Sequence, residues 1–370
     1  MKICFLGRYN TEEILTGPEK VAKRIYTEMK GRGHELMFVE YFYDGSTSTV
    51  VEKLFGHEII NDSMNGSSIH RVGIVPLIWL LFKQRPDVVN VITFERAAVV
   101  SILPVMLRRT KLVYYVHGVV AYENEFPGRN VSGFLRWKDA RCESMFFRFA
   151  NRVVFPSDRL VDLASRFYGI RPERIKIIPL GADASFFREG EGRQRKKGRT
   201  PALVFPADSR RVQKGFDFLE EALGLLRHRV RLYVVGPGAP ARIVRNKWVD
   251  LIVVPQMPTN RLAAFYADKD VILSTSWYDN FPLATLEGMA AGLTPVLTEE
   301  TGTSSYLENG RNGFTFKFGD REALAGIIAR LATHPRLRAT VGRRARETAR
   351  ELTWAKTADR LEGLFKTLAR

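Results

Sequence analysis

The chain has 370 residues, 45% of them hydrophobic, an ordinary balance for a globular protein with room for two separate cores. Its two cysteines, Cys4 and Cys142, stand in no CxxC pair and beside no histidine cluster, which argues against a disulfide framework or a zinc site and fits a reducing cytosol. A net charge of +17 and a pI near 10.0 draw a protein to nucleic acid, an anionic membrane surface or phosphate-bearing substrates; with no helix-turn-helix, zinc-finger or RNA-recognition signature, nucleic acid is not expected as a partner.

Residues 2–7 are the first predicted strand, and the apolar run of MKICFLGRYN is too short for a signal peptide. A helix over 18–30 with Val21, Ile25 and Met29 on one face stops at Gly31 and Gly33, and a strand follows at 35–41. Strand, helix and strand of these lengths make a βαβ unit and hence a parallel sheet. No GxGxxG follows the first strand and no Walker A sequence occurs, so dinucleotide redox chemistry and NTP hydrolysis lack their usual signatures. The apolar runs at 73–82 and 97–107 fall short of the roughly 20 residues that cross a bilayer. A strand at 87–93 ends at Phe94-Glu95, a helix over 96–107 should be interrupted near Pro104, and a strand at 111–116 ends at His117-Gly118. Ligands of open parallel sheets sit beyond the carboxyl ends of strands, where Glu95 and His117 fall; a structural histidine is the alternative. Tyr122, Glu123 and Glu125 lie in the loop beyond, in position to touch an acceptor. After a helix at 136–148, a strand at 152–155 and a helix at 158–168, residues 175–179 lead to Gly181-Ala182-Asp183. Residues 189–200, rich in Gly, Arg and Lys and free of apolar side chains, have the composition of a linker.

A second series opens with a strand at 202–205, a loop ADSRRVQKG at 207–215 and a helix carrying Phe218, Leu219 and Ala222. The strand at 231–235 ends in Gly236-Pro237-Gly238, a close backbone approach suited to the border of a nucleotide, and the strand at 250–254 ends with Val254. Asp268-Lys269-Asp270 spells DxD but precedes the strand at 271–274, at the amino end of the sheet, so no metal is expected there. Residues 282–291 then read as a helix, with Pro282 at its first position and Gly292 as its stop. Leu283, Ala284, Leu286, Met289, Ala290 and Ala291 leave it no polar face, so it should be buried, and Glu287 is its one ionisable group. A buried carboxylate needs a hydrogen-bond partner, either an arginine or a ligand. Asp279 lies eight residues earlier, and Asn280-Phe281 leads into a helix N-terminus, where free N–H groups favour an anion such as phosphate. A carboxylate for hydroxyls beside an anion-binding turn suits a nucleotide sugar. A strand at 294–298, a helix at 321–333, a basic helix to 351 and a last helix opened by Leu352-Thr353-Trp354 complete the chain.

Two acidic residues separated by seven others, Asp279 and Glu287, followed by a Gly- and Ala-rich helix and a strand, resemble the acidic motif of the retaining GT-B glycosyltransferases of family 4 (glycosyl transferases group 1). Lys214-Gly215, the passage IKIIPLGADASFF and the final helix extend the resemblance over nearly the whole chain. It implies an α/β GT-B fold of two Rossmann-like domains whose parallel sheets face a cleft. The acceptor-side domain would span 1–185 and be completed by the C-terminal helix 355–370, anchored by Trp354; a linker would follow at 186–200 and the nucleotide-sugar domain at 201–354. By the same resemblance, Glu287 accepts from the ribose hydroxyls, Asp279 faces the donor sugar, and the backbone of Phe281, Pro282 and Leu283 lies near sugar and phosphate. Lys214 and either Arg210 or Arg211, with Arg210 preferred, neutralise the diphosphate. His117 stands near the donor sugar, Gly236 borders the nucleotide, and Val254 ends a strand near the base. Thr16-Gly17-Pro18-Glu19 stands where the family has a Gly-Gly loop, so Gly17 would admit a donor phosphate or the acceptor; an ordinary helix start is the alternative. The departure is Asp279, where the family has Glu: one methylene less retracts the carboxylate by about 1.5 Å, so the sugar contact shifts or runs through water.

The expectation is a retaining transfer from a UDP or GDP sugar to a saccharide or lipid-linked acceptor, in cell-envelope polysaccharide or glycolipid synthesis. No cofactor or metal is expected, because the DxD lies at the wrong end of its sheet and no acidic metal cage is evident; the resemblance implies that the leaving phosphate itself helps to deprotonate the acceptor. The expected location is cytoplasmic, peripheral at the inner membrane surface. A sugar-nucleotide epimerase on a similar fold is the enzymatic alternative, and a basic scaffold for nucleic acid or membrane the non-enzymatic one.

Overall fold

The computed structural model describes residues 1–12, 14, 16–42, 48–63, 66–127, 131–191, 199–238 and 246–370. They form two compact units, one of Met1–Pro179 with Trp354–Arg370, the other of Leu180–Thr353.

In the first unit, the described residues form eight strands: β1 (Lys2–Leu6), β2 (Glu35–Tyr41), β3 (His57–Asp62), β4 (Ser67–Val72), β5 (Val88–Val91), β6 (Lys111–Tyr115), β7 (Arg152–Phe155) and β8 (Ile175–Ile177). They lie in the order β3-β4-β2-β1-β5-β6-β7-β8, and among them only β3 runs antiparallel, against β4. Helices cover both faces of such a sheet, so its central strands are apolar without alternation, and all four residues of β5 are fully buried. The strand order reverses between β1 and β5, where successive crossovers turn opposite ways and leave a crevice at the carboxyl ends.

The second unit repeats the plan with β9 (Ala202–Phe205), β10 (Val230–Gly236), β11 (Val249–Pro255), β12 (Val271–Ser274), β13 (Thr294–Thr298) and β14 (Phe314–Phe316). Their order is β11-β10-β9-β12-β13-β14, and every pairing is parallel. Here the reversal falls between β9 and β12.

The final helix, Trp354–Ala369, belongs to the first unit. It packs on the helix Gly17–Met29, and Phe365 lies against Phe5 of β1 with ring centroids 6.4 Å apart. Arg32 ties it down through Asp359 (2.6 Å) and Glu362 (3.0 Å), and His34 meets Glu362 at 3.0 Å. Lys366, followed by Arg32 and His34, holds the Glu362 carboxyl at about 2.

Three stretches differ from their predicted form. The segment 96–107 begins as a tight 3-10 stretch, Arg96–Ser101, and becomes a helix only at Ile102–Leu107. Pro104 sits in that helix's first turn, where its missing N–H breaks no bond, so the interruption precedes it. Residues 50–72 hold a helix, Val50–Phe55, and the β3–β4 hairpin, neither of which the sequence announces. The change of unit falls at Leu180, before the stretch with linker composition, whose residues 192–198 lie outside the described ones. The helix Ala184–Glu189 packs within the second unit, pinned by Arg346 to the carbonyls of Phe187 (2.6 Å) and Gly190 (3.0 Å).

Candidate functional site

The reversal between β9 and β12 sets two loops side by side, and the sequence stitches them together. Gly215, at φ +67°, ends the 3-10 turn Val212–Lys214; a Cβ there would lie 2.1 Å from the Thr275 carbonyl oxygen just beyond β12, so the approach requires glycine. The Thr275 hydroxyl donates to the carbonyls of Lys214 (3.1 Å) and Gly215 (2.9 Å), and the Trp277 N–H donates to Gln213 (3.2 Å). On this frame Lys214 reaches Asp279, 65 positions away, with Nζ 2.5 Å from Oδ2. The Asp279 carbonyl in turn accepts from Gly302 N–H at 2.9 Å. None of Thr275, Trp277 and Gln213 was a sequence candidate, because Trp277 and Gln213 meet through backbone groups and the Thr275 hydroxyl meets only backbone carbonyls, contacts that leave no mark on composition.

The loop after β10 joins the same edge. A Cβ on Gly236 would lie 2.8 Å from the Ala207 carbonyl, and one on Gly238 would lie 3.1 Å from the Arg210 guanidinium. Arg210 is exposed and clasps Asp208 with Nε at 2.9 Å and Nη2 at 3.1 Å, which holds the Asp208 carboxyl below its usual range. Val254 pairs with Val235 at the carboxyl end of β11, beside Gly236.

Beyond Asp279 the chain enters the helix Leu283–Ala290. Pro282 is its N-cap and not, as predicted, its first residue: ψ at 101° is not helical, and its carbonyl takes the N–H groups of Thr285 (3.1 Å) and Leu286 (3.4 Å). Phe281 is buried edge-on against Tyr306. The helix lies hard on β12, since a Cβ on Gly288 would come within 2.9 Å of Ile272. Glu287 is only 2% exposed, as its apolar setting predicts. Burial, followed by the charge of Glu287, raises the pKa of the Tyr266 hydroxyl, which has no hydrogen-bond partner among the described residues. The second unit therefore gathers Lys214, Arg210, Asp279, Glu287, Gly236, Val254 and the 281–283 backbone at or just beyond the carboxyl edge of one sheet.

Two candidates lie in the first unit. His117 follows β6 and stacks on Tyr115, centroids 5.0 Å apart. Burial lowers its pKa to about 4, against a hydrogen bond with the Ile92 backbone, so the ring is neutral at pH 7. Gly17 is the first residue of its helix, where Glu19 accepts from the N–H of the N-cap Thr16 at 2.9 Å. That is a capped helix start, and a Cβ on Gly17 would meet nothing within 4 Å. Glu95 is paired with Arg8. Asp270 of the DxD triplet is buried at the amino ends of β9 and β12, accepting from Ala202 N–H (2.9 Å) and Arg199 (3.0 Å). The sequence did not single out Glu143. It lies buried on the helix Gly133–Phe149 and accepts from Tyr168 Oη (2.6 Å), Tyr114 Oη (3.0 Å) and Val120 N–H (2.9 Å), three residues past His117. Its only trace in the sequence is an acidic residue in an aromatic stretch.

Residues 200–334 match the family model described as Glycosyl transferases group 1, and residues 15–186 match Glycosyltransferase Family 4. A D-inositol 3-phosphate glycosyltransferase of Acidothermus cellulolyticus is 28% identical over 265 residues, 65% of this chain and 56% of that protein; one of Corynebacterium efficiens is 27% identical over 70% and 66%. The match thus takes in little more than half the length of the first of these relatives. Among solved structures, a sucrose-phosphate synthase from Thermosynechococcus elongatus superposes with a TM-score of 0.76 at 16% identity, covering 99% of this chain and 98% of that one. The Anabaena protein HepE, solved with UDP, gives 0.74 at 18% identity, covering 99% and 100%. The fold is that of the GT-B glycosyltransferases.

Proposed function

This chain belongs to the Glycosyltransferase Family 4, of the glycosyl transferases group 1, and on that premise we propose that it moves a sugar from a nucleotide diphosphate sugar to a saccharide or lipid-linked acceptor. The observation that carries the reading is the Lys214–Asp279 pair at the switch point of the second sheet, on a glycine-permitted loop contact, with Glu287 buried on the helix just beyond. A cation for diphosphate, a carboxylate for sugar hydroxyls and a second, desolvated carboxylate for ribose hydroxyls are the groups a nucleotide sugar requires. Lys214 and Arg210 take the diphosphate charge without a metal, Glu287 the ribose, and Asp279 the sugar; His117, in the first unit, is a neutral hydrogen-bonding group for a sugar hydroxyl. Gly17, at its open helix start, leaves room for a donor phosphate or the acceptor. The HepE complex with UDP favours a uridine donor.

In the reaction the bond between the anomeric carbon and the diphosphate oxygen breaks, and the acceptor oxygen bonds to that carbon from the same face. The acceptor proton passes to the departing diphosphate, whose charge Lys214 and Arg210 stabilise. Lys214 is paired with Asp279, so a diphosphate that binds Lys214 exchanges one of its anionic partners for another.

A thermal-shift screen with nucleotides and nucleotide sugars, followed by calorimetry, tests the assignment. A charge-assisted hydrogen bond is worth about 1.5–3 kcal/mol, so Glu287→Ala should weaken nucleotide binding about ten- to hundred-fold. Unchanged affinity removes Glu287 from the site. Product analysis with donor alone should show no epimerised sugar, and turnover with acceptor should survive EDTA.

A further inference from the structure

The two apolar runs that are too short to cross a bilayer go to the core on one side only, through Leu77, Leu80, Leu81, Ala98, Ile102 and Val105. The first forms the helix Ile74–Gln84, on which Val75, Trp79 and Lys83 follow at four-residue intervals along one side. Trp79 is 53% exposed, and the Lys83 ammonium lies over its ring, 4.4 Å from the centroid. The second run ends in the helix Ile102–Leu107, which packs on the first and turns Leu103, Met106 and Leu107 outward, Leu107 at 65% exposure. Arg108, next along, sets its guanidinium over Phe82 of the first helix at 5.0 Å.

A third helix, Val50–Phe55, packs on the first. It lies directly over the start of the first helix, where a Cβ on Gly73 would come within 2.6 Å of the Glu52 carbonyl. Its sequence is VVEKLF, yet none of its residues is buried; Val50 is 72% and Phe55 60% exposed. Three adjoining helices thus present apolar side chains outward, whereas exposed hydrophobic residues of a monomer are normally scattered singly.

We propose that this face docks on an anionic lipid bilayer. The charge pattern selects that occupant: Lys83, Arg85, Arg108, Arg109 and Lys111 follow or flank the apolar side chains in the chain, and the heads of Lys83 and Arg108 already lie over the rings of Trp79 and Phe82. The acidic residues of the face are already engaged. Glu52 caps its own helix, accepting from Thr49 N–H at 2.6 Å, and Glu58 of β3 pairs with Arg71 at 2.9 Å. A second copy of the chain would set the same cations against one another. The described helices include none long and apolar enough to cross a membrane, so the contact is superficial. The proposal rests on the lipid-linked acceptor reading for its purpose alone; the face stands without it.

The test is sedimentation with vesicles of phosphatidylcholine mixed with phosphatidylglycerol, and of phosphatidylcholine alone, at low and raised salt. The wild type should sediment with the anionic vesicles, less so as salt rises, and not with the neutral ones. Lys83→Gln should weaken binding about five-fold, the worth of one cation near such a surface. The double variant Trp79→Ser, Leu107→Ser, altered only at exposed positions, should lose binding while keeping its circular dichroism and nucleotide-induced thermal shift. Absence of wild-type binding at low salt, or equal binding by the double variant, overturns the proposal. So does a concentration-dependent dimer, seen by sedimentation velocity, that the double variant abolishes. Nucleotide binding is read separately on each protein, so vesicle failure with an intact thermal shift sinks the docking and spares the transferase reading; the reverse result does the opposite.

Discussion

The carboxyl ends of the two sheets are finished in different ways. Beyond β9 and β12, the loops are joined main chain to main chain, through a glycine contact that no side chain could share, and the Lys214–Asp279 pair is mounted on that joint. Beyond β6, the turn after His117 is instead held from behind by one buried carboxylate, Glu143, with two tyrosine hydroxyls and a backbone N–H. The first arrangement is sensitive to a methyl group. The second responds to protons.

Substitution at Gly215 should have the largest effect. Gly215→Val adds a Cβ against a carbonyl at a positive φ, and should cost about 3 kcal/mol and lower the melting temperature, with loss of nucleotide binding. An unchanged melting curve would break the contrast. Next comes Glu143, whose pKa burial raises from 4.5 to about 7, against its three donors. In that window the folded state holds a proton the unfolded chain has released, so this group's contribution is full below pH 4.5 and declines as pH rises to about 7. Glu143→Gln should remove about 2–3 kcal/mol of that pH dependence. His117 works in the opposite sense: its depressed pKa makes its contribution full above pH 6.5 and lost as pH falls towards 4. Comparing the stability-versus-pH curves of Glu143→Gln and His117→Asn therefore separates the two, and coincident curves would refute the assignment. The smallest effect is expected for Thr275→Val, which removes a hydroxyl shared by two carbonyls of the joint; about 1 kcal/mol should be lost, with donor affinity falling through displacement of Lys214.

The same contrast decides what the sequence could reveal. Strands such as Val271–Ser274 and Thr294–Thr298 fall at their predicted bounds because buried parallel strands are unbroken apolar runs between turn residues. The β3–β4 hairpin was not legible, because β3 is an edge strand that buries little and β4 has its apolar residues, Ile69 and Val72, three positions apart, so neither strand alternates. At the site, the burial of Glu287 followed from its apolar helix, and the family resemblance put both Lys214 and Asp279 on the donor. The Thr275 clamp and the Glu143 network were not legible: both depend on partners distant in the chain, and neither threonine nor glutamate advertises them locally.

The returning helix Trp354–Ala369 has a consequence for synthesis. The unit that leaves the ribosome first is the last to be finished, since Phe5 and Arg32 wait for Phe365, Asp359 and Glu362 until the entire second unit has emerged. Nascent chains stalled before residue 354 should therefore show a protease-resistant second unit and a first unit still open to cleavage.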